Sequence, residues 1–235
     1  MECLCSLGYI CEVQILFRIK RLAFFNRSIN TFAIAAFVCI ALLSAAQQAL
    51  AHHAMGSKTP SNFFEGFVSG LAHPVIGLDH LAFVVAIGLL SAGLVRGAFI
   101  PAGFVVAALS GTAIHLLTLD LPASEIAIAI SVIIFGAILV MPNRLNWVVL
   151  AVLAVIAGLF HGYAYGEAIV GAQMTPLVAY LLGFTLIQYV VALIAQALGN
   201  VIIAQTANKP LPLMRFAGFA ITSIGVVFLT NSIVS

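Results

Sequence analysis

Six histidines carry most of the chemistry open to this chain: His52, His53, His73, His80, His115 and His161. Asp79 stands beside His80, and Glu167 follows shortly after His161. Imidazole and carboxylate together, with no thiolate nearby and few methionines, suit borderline divalent ions such as Ni²⁺, Co²⁺ or Zn²⁺. Cu(I) prefers soft sulfur, and Mg²⁺ prefers an all-oxygen shell. These residues are therefore candidate ligands of a first-row divalent metal ion. Other chemistries are open to the same side chains. Histidines on adjacent spans, such as His80, His115 and His161, could supply axial ligands to haem. A hydrolase would need a nucleophile, and Ser110-Gly111 lacks the preceding glycine of a G-x-S-x-G elbow. No G-x-x-x-x-G-K-[ST] phosphate loop occurs, so any transport would draw on the membrane potential, a coupled ion or trapping of the cargo.

The elements that position these residues are membrane helices. Of the 235 residues, 63% are hydrophobic and 7% charged, where soluble domains carry about 25% charged residues. With a mean hydropathy of +1.21, this excludes a soluble enzyme and makes the lipid bilayer the main partner. Backbone amides in hydrocarbon must be paired within the segment, and the apolar runs are continuous, not alternating, so helices and not a barrel are expected. The class is an all-α polytopic bundle. Six spans are expected after Ala51, at about 76–94, 98–118, 124–141, 146–163, 176–199 and 213–232, within a single domain covering 52–235. Gly and Pro punctuate the short connections, as in Met141-Pro142-Asn143 and Lys209-Pro210-Leu211-Pro212. Residues 62–72 are apolar but too short to span. They end at His73-Pro74, where the residue before proline is pushed from helical geometry, and a short interfacial or re-entrant helix followed by a break at 73–77 is expected.

Residues 1–51 have the form of a secretory signal: a basic stretch to Arg27, an apolar core from Thr31 to Ala46, then Ala49-Leu50-Ala51. Cleavage is expected after Ala51; an uncleaved first span is the alternative, and the stretch before the apolar core is over-long for a signal. All four cysteines (Cys3, Cys5, Cys11, Cys39) lie there, so the mature protein would have neither disulfides nor thiolate sites. The same segment carries the chain's net charge of +2, while residues 52–235 hold five charges of each sign. No nucleic-acid footprint follows. Arg96, Arg144, Lys209 and Arg215 fall in alternate loops and Asp120, Glu125 and Glu167 in the others. The positive-inside rule then places both mature termini outside the cytoplasm, with the protein in the plasma (inner) membrane. On this topology all six histidines collect at the extracytoplasmic side. Asp79 and His80 sit in the first turn of span one at its outer end, and His115 and His161 on the order of 6 Å below that surface. A helix N-terminus repels cations, a field that Asp79 would offset.

Ionisable groups in a membrane are by default site or pathway candidates, yet each has a plainer reading. His115 could hold helices together as a hydrogen-bond partner. Glu65 and Glu167 could be solvated loop carboxylates. His52 and His53 are either the remnant of a cleavage site or, with the new amino terminus, a metal-capturing group. Phe63, Phe64, Phe67, Phe83 and Phe104 are read as packing or lipid-facing residues. Ser110, Thr112, Ser131 and Gln188 are placed near mid-depth and are candidates for an inward path.

The stretch His73-Pro74-Val75-Ile76-Gly77-Leu78-Asp79-His80, followed by Phe83 and Gly88, resembles the H-P-x-x-G-x-D-H signature of the HupE/UreJ family, membrane proteins regarded as nickel or cobalt permeases accompanying hydrogenase and urease systems. Phe160-His161-Gly162-Tyr163-Ala164-Tyr165-Gly166-Glu167 is similar to that family's F-H-G-x-A-H-G motif, with Tyr165 where a second histidine is common. The resemblance covers 52–235. It implies metal-ion uptake with His73, Asp79, His80 and His161 as candidate ligands, Ni²⁺ or Co²⁺ as transported substrate, no tightly bound cofactor and no enzymatic activity. A homo-oligomer is compatible with it, as is a non-transporting accessory role in metalloenzyme maturation.

Overall fold

The structure is a computed structural model in which residues 59–143, 145–205 and 212–234 are described. The signal segment, its cleavage site, His52, His53, Lys58, Arg144 and Lys209 lie outside these residues. Seven helices and no strand are found among them: α1 (Phe63–Ile76), α2 (Leu78–Ser91), α3 (Phe99–Leu116), α4 (Ser124–Val140), α5 (Trp147–Glu167), α6 (Met174–Gln205) and α7 (Pro212–Val234).

Helix α1 starts where its sequence supplies a cap. The Asn62 side chain accepts from the Glu65 N–H at 2.9 Å, and the Glu65 carboxylate accepts in return from the Ser61 N–H at 2.8 Å. This reciprocal arrangement is close to a capping box, and it gives Glu65 a structural role at the helix start. Pro74 lies within the last turn, and the helix runs past it to Ile76. The break comes at one residue, Gly77 (φ −70°, ψ 101°), after which α2 departs at 78°. It falls within the expected 73–77 window, but later than His73-Pro74.

Among the described residues four helices are long and apolar enough to cross a membrane, Phe99–Leu116, Trp147–Glu167, Met174–Gln205 and Leu213–Val234, or five when the bent pair α1 and α2 is taken as one span. The expected count of six does not hold. The segment expected at 76–94 yields only 14 helical residues, about 21 Å of rise against a hydrocarbon core of about 30 Å. The segment at 124–141 yields the 17 residues of α4, about 25 Å. Hydropathy measures how apolar a run is but does not see where the helix is interrupted.

Close helix contacts arise where glycine lets backbones meet. Gly158, Gly162 and Gly166 on α5 face α3: a Cβ on Gly162 would strike the Ala108 carbonyl, and one on Gly166 would stand 2.6 Å from the His115 Cβ. The register rises together along both helices, so α3 and α5 run parallel. Gly66 and Gly70 on α1 meet Pro176 and Tyr180 on α6, while Gly88 on α2 meets Ala192. Thus α1 and then α2 follow α6 in one direction, as two halves of a broken span. Helices α4 and α7 pair in the opposite sense, Gly136 against Gly218 and Thr222, Gly225 against Ile133. Helix α2 packs against every other described helix and is buried on all sides, as an evenly apolar sequence requires.

Candidate metal site

The break at Gly77 puts two helix ends together. The last turn of α1 carries His73, whose carbonyl accepts from the Gly77 N–H at 3.1 Å. The first turn of α2 carries Asp79, whose Oδ1 accepts from the His80 N–H at 2.9 Å. The positive pole of α2 therefore lies beside the carbonyl end of α1 and the Asp79 carboxylate. Broken membrane helices use such carbonyl ends for cations, which offsets the repulsion expected from the α2 N-terminus alone. Gly77 also makes room for a ligand candidate, since a Cβ there would stand 2.7 Å from His80 Cδ2.

From α2 the His80 ring reaches His161 of α5, Nδ1 to Nδ1 at 2.8 Å. His80 is 7% exposed and His161 0%. His161 Nε2 in turn lies 3.0 Å from Ser131 Oγ on α4, and that hydroxyl donates to the Ile128 carbonyl at 2.6 Å. His73 completes the group, its ring 6.1 Å from His80 and set edge-on to Tyr165 at 5.3 Å. Tyr165 packs on His80 at 4.5 Å between ring centres, and its buried hydroxyl has no hydrogen-bond partner. Toward the other end of the bundle the polar group stops at Phe83, Phe104 and Phe135, all buried, with Phe83 stacked on His161 at 4.4 Å and 4.6 Å from Phe135.

Depth differs from expectation. Ser131 and His161 lie about 10 Å and about 9 Å of helical rise inside the start of α4 and the end of α5. Because α1 already covers the first half of α6, Asp79 and His80 open a helix that begins partway along the bundle, not at its rim. Of the two readings of 62–72, interfacial or re-entrant, the interfacial one places Asp79 and His80 higher, and the bent pair α1 and α2 agrees with the re-entrant one.

The remaining candidates have other surroundings. His115 lies on α3 with its ring 4.5 Å from Tyr163 and its Nδ1 buried without a hydrogen-bond partner, which fits packing between α3 and α5. Glu167 is exposed at the end of α5. Ser110 is exposed and donates to its own helix at Val106, which removes it from an interior path. Thr112 spends its proton on carbonyls, reaching Gly162 across the α3–α5 contact at 2.7 Å. Gln188 is buried, with Nε2 bound to the Phe184 carbonyl and Oε1 unpartnered. Among the described residues no three His, Cys, Asp or Glu side chains are gathered closely enough to hold a metal ion. The haem reading fits poorly, since two axial imidazoles must stand about 4 Å apart across a metal and His80 and His161 bond directly to each other.

Sequence reasoning named Ser131 as a candidate for an inward path but not as a partner of His161, and it passed over Tyr180, whose hydroxyl donates to the Tyr165 carbonyl at 2.9 Å. The latter satisfies one of the last carbonyls of α5, which have no partner within the helix. The G-x-x-x-G spacing at Gly158, Gly162 and Gly166 was the available signal for how α5 docks.

Residues 40–228 match the family model described as HupE / UreJ protein. The chain is similar to Protein HupE of Rhizobium leguminosarum bv. viciae, 27% identical over 169 residues, which cover 71% of this chain and 86% of the relative. No solved structure matches significantly.

Proposed function

Because this chain belongs to the HupE/UreJ family, we propose that it is a permease for a divalent transition metal, nickel or cobalt, and that the ion is taken from the extracytoplasmic side by a site built on His73, Asp79 and His80 and backed by His161. Family membership carries the coarser reading, a multi-pass membrane metal permease and not an enzyme. The observation that most favours the finer one is the meeting of His80 and His161 in the buried centre, directly beneath the break between α1 and α2. Had these imidazoles faced lipid on opposite flanks, no ion could be gripped there.

A hydrated ion would enter at the end of the bundle where α5 finishes and α6 begins. Glu125 and Glu167 lie at this end, whereas Arg96, stacked over Trp147 at 5.5 Å, lies at the other. The positive-inside rule makes the Arg96 end cytoplasmic. The Asp79 carboxylate and the imidazoles would replace water around the ion, and the phenylalanine cluster below would bar it until the helices shift. The leader is read as a cleaved signal, with His52 and His53 opening the mature chain. His115 and Glu167 lie on the entry side and serve as outer contacts.

Uptake of Ni²⁺, Co²⁺ and Zn²⁺, each offered separately to cells and measured by mass spectrometry of metals, tests this. Wild type should accumulate nickel or cobalt, and Asp79→Asn and His80→Ala should not. Equal accumulation at equal protein levels defeats the permease reading.

A further inference from the structure

Hydrogen-bond bookkeeping assigns each nitrogen of the His80–His161 pair. Ser131 Oγ has one proton, and its 2.6 Å contact with the Ile128 carbonyl, an acceptor only, takes it. Toward His161 Nε2, 3.0 Å away, the same oxygen can then only accept, so His161 carries its proton on Nε2. A neutral His161 with Nε2–H has a lone pair on Nδ1. The 2.8 Å separation from His80 Nδ1 therefore requires that His80 donate from Nδ1, which leaves the His80 lone pair on Nε2. Both nitrogens of His161 are spent, one on Ser131 and one on His80. Phe83 stacks against its ring and Phe104 meets it edge-on at 5.7 Å, so rotation to offer a nitrogen elsewhere is blocked.

We propose that His161 is not a metal ligand but a positioning residue which, anchored by Ser131, holds His80 in the tautomer with Nδ1 protonated and its lone pair on Nε2. Metal-bound histidines commonly donate their second ring N–H to a partner that sets tautomer and orientation; here the partner is another imidazole, and α4 joins the site through one hydroxyl. This rests on the permease reading above and assigns roles within that site.

Two measurements test it on the full chain in lipid. The first is ¹⁵N-histidine solid-state NMR of the metal-free protein. A neutral Nδ1–H signal that vanishes in His80→Asn and a neutral Nε2–H signal that vanishes in His161→Asn are expected. Ser131→Ala should shift the latter and Ser131→Thr should restore it. A His161 protonated on Nδ1 overturns the proposal. The second is Ni²⁺ binding with X-ray absorption. In His161→Asn, whose amide oxygen falls close to the lost Nδ1 and still accepts from His80, Ni²⁺ affinity should drop about 10–100-fold while the number of imidazoles on nickel stays as in wild type. Loss of one imidazole makes His161 a ligand and refutes the proposal. Wild-type protein that binds neither Ni²⁺ nor Co²⁺ would defeat the metal reading itself, and the NMR tautomers would still decide the relay.

Discussion

Gly162→Ala probes the contact on which the site depends. Gly162 follows His161, and a Cβ there collides with the backbone of Ala108 on α3, its carbonyl oxygen included; backbone cannot rotate away as a side-chain tip can. The helices must separate, at the 1–3 kcal/mol or so typical of overpacking. Separation also stretches the 2.7 Å bond from Thr112 to the Gly162 carbonyl, worth about 0.6 kcal/mol in a membrane. Alanine regains up to about 1 kcal/mol of helix propensity over glycine. With the full propensity gain the net expectation is a loss of about 0.6–2.6 kcal/mol, together with weaker Ni²⁺ uptake, because His161 moves with the displaced backbone. Gly103→Ala is the control at the same interface: its nearest neighbour is the Val155 Cγ2 atom at 3.3 Å, which can yield, so stability should hold or rise by up to about 1 kcal/mol. Steric-trapping unfolding of both variants in bicelles measures the difference. If Gly162→Ala proves as stable as Gly103→Ala, the close backbone crossing of α3 and α5 is wrong.

Tyr165→Phe should cost no stability in the same assay, because the hydroxyl it removes is buried and unpartnered; Tyr180→Phe should cost about 1 kcal/mol, since it strips the donor from the Tyr165 carbonyl. A loss for Tyr165→Phe equal to that for Tyr180→Phe would contradict this bonding pattern. Tyr165→His, which restores the family's common residue between His73 and His80, should tighten Ni²⁺ binding in calorimetry. Ni²⁺ at a hundred times its dissociation constant should stabilise wild-type protein by about 2.7 kcal/mol, a gain visible as a raised melting temperature. Chelator should remove it, and Asp79→Asn should lack it. Gln188→Met should change stability by less than about 1 kcal/mol, because removing the unpartnered buried Oε1 offsets the loss of the Nε2 bond to the Phe184 carbonyl.

Much was legible in the chain itself. An apolar sequence with charge confined to a few loops admits only helices that bury their own backbone bonds, so the all-α membrane class followed from composition. His73, Asp79, His80 and His161 stood out because ionisable groups in hydrocarbon are costly and rarely kept without a use. A break within 73–77 was legible, though it falls at Gly77 and the helix runs past Pro74, and the family was legible from two short motifs.

What the tertiary structure alone decided concerns distances between helices, which no one-dimensional pattern encodes. Hydropathy counted six spans because it cannot tell a run interrupted at Gly77, or one ending at 17 residues, from a full crossing. Depth was misjudged for the same reason: α1 occupies the first half of its own span and carries the site inward. The direct bond between His80 and His161, 81 residues apart in sequence, depends on glycine contacts that seat α5 against α3. Ser131 acquired its role only when α4 came within reach of His161, for a hydroxyl's function is set by which lone pair and which proton lie about 3 Å away, and folding chooses those neighbours.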